Sequence, residues 1–348
     1  MNGERSLVGK EHCRIEAHGR LHFGLLEICD HSPNLFGGIG LMLAAPIAVL
    51  DAYVADVSID DLQIESDPHW KDRIFTVCKN WLDRHQSITL PVSKFQLSAP
   101  LPHQGLGSGT QIASMIAFLL WQVSRSNRDN KNADDNTSGA IRTIEHPTLS
   151  ELAAWSLRGL RSHIGLAGFL GGGFVVDLGQ SASDLSRTKT IPFPESWPVL
   201  LLRNPSSVGT HGPLEKKWFE ECSRTPNSHR LRMLQLVEDV IVPSIEHVDW
   251  ATFDHAIGEY GRLAGSVFSK AQGGMYRTSQ MEQLVAFGDS LGIHGVVQTS
   301  WGPTVALITK DEDQVHWLID KYQTQWPELT LEKTYACNAP ASFQWLGA

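Results

Sequence analysis

The chain is poor in the features that staple or anchor a protein outside a reducing compartment. It has five cysteines, Cys13, Cys29, Cys78, Cys222 and Cys337, an odd number with no C-x-x-C pair among them. That argues against a disulfide framework and against a zinc site of the common spacing. Long apolar runs are also missing. The most apolar stretch, Gly38 to Leu50, is too short to span a bilayer and is interrupted by Pro46. Residues Met1 to Glu16 are polar and charged, so no signal peptide is expected. An excess of positive charge is lacking too, with 29 basic residues against 38 acidic and a formal net charge of -9. Such a balance speaks against nucleic acid or an anionic membrane as the main partner, while leaving room for a local basic pocket. These shortages together lead us to expect a soluble, cytoplasmic protein.

What is present is ample apolar content, 42% of 348 residues, enough for a large core and about two domains. Cys13 to Leu26 partly alternates between polar and apolar residues and reads as a strand. A second strand is expected within Leu41 to Val49 and a third over Lys94 to Ser98. Asp67 to His85 has helical spacing, with Trp70, Ile74, Val77, Cys78 and Trp81 on one face. Gln111 to Val123 is apolar nearly all round and predicts a buried helix. Arg125 to Pro147, rich in Asn, Asp and Ser, reads as an exposed loop insertion. Leu149 to Leu160 is again helical, and Gly171-Gly172-Gly173 turns into a strand. A connector near Ser181 to Pro198 places the expected domain boundary at residues 1–190 and 191–348. The second half reads as strand Val199 to Arg203, helices at Leu231–His247, Trp250–Ser266 and Ser279–Leu291, a strand-turn-strand over Gly295–Thr309, a helix at Glu312–Tyr322 and a last strand near Leu329–Ala336. Strands and helices mix without regular βαβ alternation, so the expected class is α+β.

The strongest chemical signal is Pro100-Leu-Pro-His-Gln-Gly-Leu-Gly-Ser-Gly-Thr-Gln111, between a strand and the buried helix. Glycines let backbone N–H groups turn inward around an anion, and the helix start adds its partial positive charge. Gly105, Leu106, Gly107, Ser108, Gly109, Thr110 and Gln111 are therefore candidate phosphate-binding residues, with His103 just ahead of them. A plain helix-capping turn is the bland alternative. The loop lacks the lysine of a P-loop and the spacing of the dinucleotide fingerprint.

This segment resembles the second motif of the GHMP kinase superfamily, P-x-x-x-G-L-G-S-S-A-A, departing from it at Gly109 and Thr110. More of the chain is similar to one branch of that superfamily, the beta-ribofuranosylaminobenzene 5'-phosphate synthases. The blocks that carry this are Arg20-Leu-His-Phe-Gly-Leu, Gly37-Gly-Ile-Gly-Leu-Met-Leu, the glycine turn, Ser162-x-Ile-Gly with Gly172-Gly-Phe-Val-Val-Asp177, Gln272-Gly-Gly-x-Tyr276 and Gln298-x-Ser-Trp-Gly-Pro-Thr304. The resemblance implies a GHMP-like two-domain fold. It also implies phosphoribosyl transfer: phosphoribosyl pyrophosphate donates its sugar carbon to 4-aminobenzoate or 4-hydroxybenzoate, releasing pyrophosphate and carbon dioxide, in tetrahydromethanopterin biosynthesis. It further implies Mg²⁺ at Ser108, no organic cofactor, and a homodimer.

Within that resemblance, Arg20 and His22 alternate on the first strand and share a face, where they are candidates to meet phosphate or the benzoate carboxylate. Arg161, Ser162 and His163 fall where the kinases hold their acceptor. Gln298, Ser300, Trp301 and Gly302 match the third glycine loop, with Trp301 a candidate to stack on the aromatic acceptor or simply a core residue. Gln272 begins a polar glycine turn, either a binding loop or a helix end. Many GHMP kinases place an aspartate base shortly before a Gly-Gly turn, yet no Asp or Glu occurs from Leu152 to Phe174. A kinase has a hydroxyl proton to manage and a C–C bond-forming transferase does not, so the missing acid weakens the kinase alternative. A binding module on a degenerate kinase fold remains the non-enzyme alternative.

Overall fold

The computed structural model describes residues 11–27, 36–132, 144–179, 187–207, 209, 217–218, 225–300 and 302–347. Strand β1, His12–Gly24, buries Cys13, Ile15, Ala17 and Leu21 on one face, and this alternation is what the first apolar pattern predicts. It pairs antiparallel with β2, Gly38–Val57, a strand longer than the expected Leu41–Val49. Along its length β2 pairs with β4 (Leu90–Ser98) at one end and β5 (Phe174–Asp177) at the other. The short strands β3 (Gln63–Glu65) and β6 (Thr188–Ile191) flank these.

Helix α1, Pro68–His85, is capped by Asp67 and buries the five residues its spacing selects. It packs with α2, Ser108–Asn132, against the sheet, and Ile112 to Leu120 are almost fully shielded from solvent. The helix α2 corrects the loop expected from Arg125, because helical structure continues to Asn132. Extending an established helix costs far less than starting one, so a polar end is carried along by a well-packed beginning. Residues 133–143 lie outside those described. Helix α3, Leu149–Ser156, starts in a capping box of Thr148 and Glu151. It stops short of the expected Leu160, because Leu157 turns left-handed at φ 57°. A further buried helix, α4 (Ile164–Gly171), was not expected from the sequence.

A second sheet orders β10 (Thr330–Thr334), β7 (Val199–Arg203), β9 (Val305–Ile308) and β8 (Val296–Gln298). Helices Trp250–Gln272, Ser279–Ser290 and Glu312–Gln325 accompany it, while Asn227–Glu246 is helical with a π-type stretch at Leu236–Ile241. The chain then returns to the first sheet, where β11 (Ser342–Trp345) pairs with β1. The sequence had given no sign of this strand. Among the described residues no helix is long and apolar enough to cross a membrane.

Candidate active site

The pairing of β1 with β2 shifts register twice, between His18 and Arg20 and again between His22 and Gly24. Irregularities of this kind re-aim side chains next to sites. Here they bracket Arg20 and His22, which both line a cavity of about 380 Å³. The glycine turn lies directly against this strand, with the Arg20 N–H donating to the Leu106 carbonyl at 2.9 Å. Gly107 sits at φ 71°, and a β-carbon there would lie 2.7 Å from Cγ of Arg20. Only glycine allows both the backbone conformation and the close approach. On its other side the turn docks on the loop after β8. Thr299 Oγ1 donates to the Gly105 carbonyl at 3.0 Å, and Thr304 Oγ1 to that of Gln104 at 2.6 Å. That loop bends sharply at Ser300 (φ 53°), whose N–H donates to the His22 carbonyl at 2.9 Å.

Arg20 is the unusual group. Its Nε and Nη1 are shielded from solvent and have no hydrogen-bond partner among the described residues. Burial lowers its guanidinium to about 10, still fully charged at neutral pH. No Asp or Glu is among the described residues lining the cavity. A buried cation without a carboxylate is costly unless a ligand completes it, so this arrangement is one that awaits an anion.

His22 lies beside it, 6% exposed. Burial first, then the charge of Arg20, hold its pKa well below the ordinary value. Its Nδ1 accepts the Gly24 N–H at 3.2 Å, which assigns the proton of the neutral ring to Nε2. Nε2 lies 3.3 Å from Ser162 Oγ and donates to it. The serine hydroxyl proton is thereby left to point elsewhere.

Of the residues expected from sequence, Thr110, Arg161, Ser162, Gln272, Gln298 and Ser300 join Arg20 and His22 around this cavity. Gln298 is fixed from both ends, accepting the Arg277 N–H at 2.9 Å and donating to the Ser300 carbonyl at 3.0 Å. Gln272 donates to the Met275 carbonyl at 2.8 Å, and its Oε1 is buried without a partner. Ser108 and Gln111 do not reach the cavity. They face a shallow groove on the other side of the turn, with Leu106 and Gly19. Gln111 is fully buried and donates to the Gly165 carbonyl at 2.8 Å, tying α2 to α4. His103 lines neither space; it takes a left-handed φ of 64°, and its carbonyl accepts the Gly209 N–H at 2.8 Å. His163 turns to the opposite side of its segment, where its N–H donates to Asp177 at 2.7 Å. Gly109 offers its carbonyl to Arg73 Nη1 at 3.4 Å, and the Gly302 N–H closes a turn on the Thr299 carbonyl at 2.9 Å. Trp301 lies outside the described residues. For Ser108 the expected metal contact meets a plain obstacle, since no carboxylate accompanies it. Among the described residues there is no cluster of three His, Cys, Asp or Glu side chains able to hold a metal.

Arg158, Phe268, Met275 and Tyr276 also line the cavity. Tyr276 belongs to the polar glycine turn that begins at Gln272; nothing in the local sequence of the other three signals their place. Phe268 sits on a helix face whose period marks it only as apolar.

The chain has the fold of the GHMP kinases. It superposes on homoserine kinase from Cytophaga hutchinsonii with a TM-score of 0.65 at 12% identity, over 99% of this chain and 100% of that one. Mevalonate diphosphate decarboxylase from Staphylococcus aureus gives 0.62 at 12% identity, over 96% and 98%. At such identities the likeness speaks for the fold alone. No family model matches the sequence. In sequence the chain is similar to the beta-ribofuranosylphenol 5'-phosphate synthase of Methanothermobacter thermautotrophicus, 24% identical over 319 residues, which is 86% of this chain and 89% of that protein. The enzyme of the same name from Archaeoglobus fulgidus is 25% identical over 313 residues, 85% and 87% of the two chains.

Proposed function

We propose that this protein is a pentosyltransferase that joins the ribose 5-phosphate unit of phosphoribosyl pyrophosphate to a para-substituted benzoate. The observation that carries the proposal is the buried, uncompensated guanidinium of Arg20 in a cavity with no carboxylate in its lining. A strongly anionic donor, with a phosphate at one end and a pyrophosphate at the other, is the kind of ligand that completes such a site. The names of the similar proteins, which specify a ribofuranosylphenol 5'-phosphate product, support the same chemistry and favour 4-hydroxybenzoate over 4-aminobenzoate as acceptor.

In the reaction the bond from the sugar C1 to the pyrophosphate oxygen breaks, and its electron pair leaves with pyrophosphate. The ring carbon that bears the carboxylate supplies the pair for the new C–C bond. The carboxyl carbon then leaves as carbon dioxide, returning its bonding pair to the ring and restoring aromaticity. Arg20 is placed to neutralise charge as it gathers on the leaving group, and a charge held in a dry site acts strongly. His22, neutral and fixed, keeps Ser162 oriented. The lining offers no carboxylate for Mg²⁺, and Ser108 faces away from it. Magnesium is therefore proposed to arrive on the oxygens of the donor's own pyrophosphate.

The deciding assay supplies phosphoribosyl pyrophosphate, magnesium and carboxyl-labelled 4-hydroxybenzoate or 4-aminobenzoate, and follows labelled carbon dioxide. Release that needs every component supports the transferase and ranks the two acids. Absence of release together with ATP turnover would move the protein to the kinase alternative, and phosphate-ligand binding without any turnover to the binding-module alternative.

A further inference from the structure

The segment Leu157–Ser162 is a partition between two spaces. On one side is the cavity of Arg20. On the other is a second cavity of about 360 Å³, walled by α1, α3 and the end of β5. Arg158 and Arg161 line both. The second space adds Arg84 from the last turn of α1 and His163. Among the described residues its lining contains a single carboxylate, Asp177, which is 3% exposed. That carboxylate is already engaged: Oδ2 accepts the His163 N–H at 2.7 Å, and Oδ1 the Gly179 N–H at 3.1 Å. Three guanidiniums line a recess with one internally satisfied acid among the described residues, in a chain whose acidic residues outnumber its basic ones by 38 to 29. The concentration of positive charge runs against the composition, and guanidiniums arranged around a recess favour oxyanions.

We infer that this second cavity is an anion site for a phosphate group, and that it competes with the first for Arg158 and Arg161. The partition is suited to leaning either way. Leu157 and Gly159 both hold left-handed backbone, at φ 57° and 88°, and Leu160 is 79% exposed. A phosphate on Arg84 recruits the two shared arginines and weakens what they offer the main cavity. An anion in the main cavity weakens the second site by the same factor, since coupling between two binding events is reciprocal. The effect is a brake by inorganic phosphate, or by the phosphate end of a product, on a site that takes phosphorylated ligands. The inference uses the reading of the main cavity as an anion site, but not the transferase reaction.

Calorimetric titration of the full chain with inorganic phosphate tests it, because it reads binding without turnover. Wild-type protein is expected to take up two phosphates. Arg84→Ala, a change at an exposed position, is expected to take up one, and to bind it about threefold or more tightly than the wild type binds its second. Arg20→Met is expected to keep the phosphate that Arg84 holds. One phosphate in the wild type, two in Arg84→Ala, or one bound no more tightly than the wild type's second would each overturn the proposal. Loss of carbon dioxide release in the transferase assay would leave these titrations as they stand.

Discussion

Cγ of Arg20 occupies the space that a β-carbon on Gly107 would need, at 2.7 Å. The strand and the glycine turn are therefore shaped to each other. The turn thereby positions the guanidinium.

Gly107→Ala is expected to destabilise the fold by about 1–2 kcal/mol, from left-handed backbone on a residue with a β-carbon. Affinity for pyrophosphate should fall about tenfold or more, because Arg20 has to move. Thermal melting and calorimetric titration check the two effects separately. Wild-type pyrophosphate affinity in the variant would mean that the close approach has no part in binding.

Arg20→Met separates stability from function. Arg20 has no carboxylate partner to be stranded, so removing it leaves no orphaned charge. Denaturant unfolding should show stability unchanged or raised by about 1 kcal/mol. Pyrophosphate affinity should fall about 100-fold, the worth of two charge-assisted hydrogen bonds. A variant that is strongly destabilised and still binds pyrophosphate would mark Arg20 as a structural residue.

Thr110 and Ser108 make opposite forecasts. Thr110 lines the cavity and Ser108 does not. Thr110→Val is expected to cut turnover about tenfold or more at normal stability, while Ser108→Ala stays within about threefold of wild type. The reverse order, read from steady-state kinetics, would return Ser108 to the main site.

His22 gives the protein an acid-sensitive stability. Its folded pKa lies well below the ordinary value of about 6.5, so as pH falls through 6.5 the unfolded chain takes up a proton that the folded chain refuses. Stability is therefore lost on acidification, with a slope approaching about 1.4 kcal/mol per pH unit. His18 acts the other way, its pKa raised mainly by its hydrogen bond with Cys337, so the contribution of His22 is read as a difference. Between pH 7 and pH 5 the unfolding free energy of wild type should drop more steeply than that of His22→Asn. Parallel profiles would assign the sensitivity to other groups.

Local signals carried the reading as far as local physics determines structure. Glycines that must take positive φ, followed by an apolar helix, mark the turn at Gly105–Gly109. Alternation marks β1 and puts Arg20 and His22 on one face. What stayed hidden depends on contacts between distant residues. Helix α4 holds Gly165, Gly168 and Gly171, which lower helix propensity, and the burial of Ile164–Phe169 among other elements is what makes it helical. Ser108 and Thr110 stand two residues apart on one motif, yet the start of α2 sends them to different spaces. The direction of His163 follows from Asp177, fourteen residues later in the chain.

The pairing of β1 with β11 joins Cys13–Glu16 to Ser342–Trp345. During synthesis the strand bearing Arg20 and His22 leaves the ribosome first, and its outer neighbour emerges more than three hundred residues afterwards. Until then one edge of β1 is open, with backbone donors and acceptors unpaired. The nascent protein must therefore keep that edge from mispairing while the residues between the two strands are added.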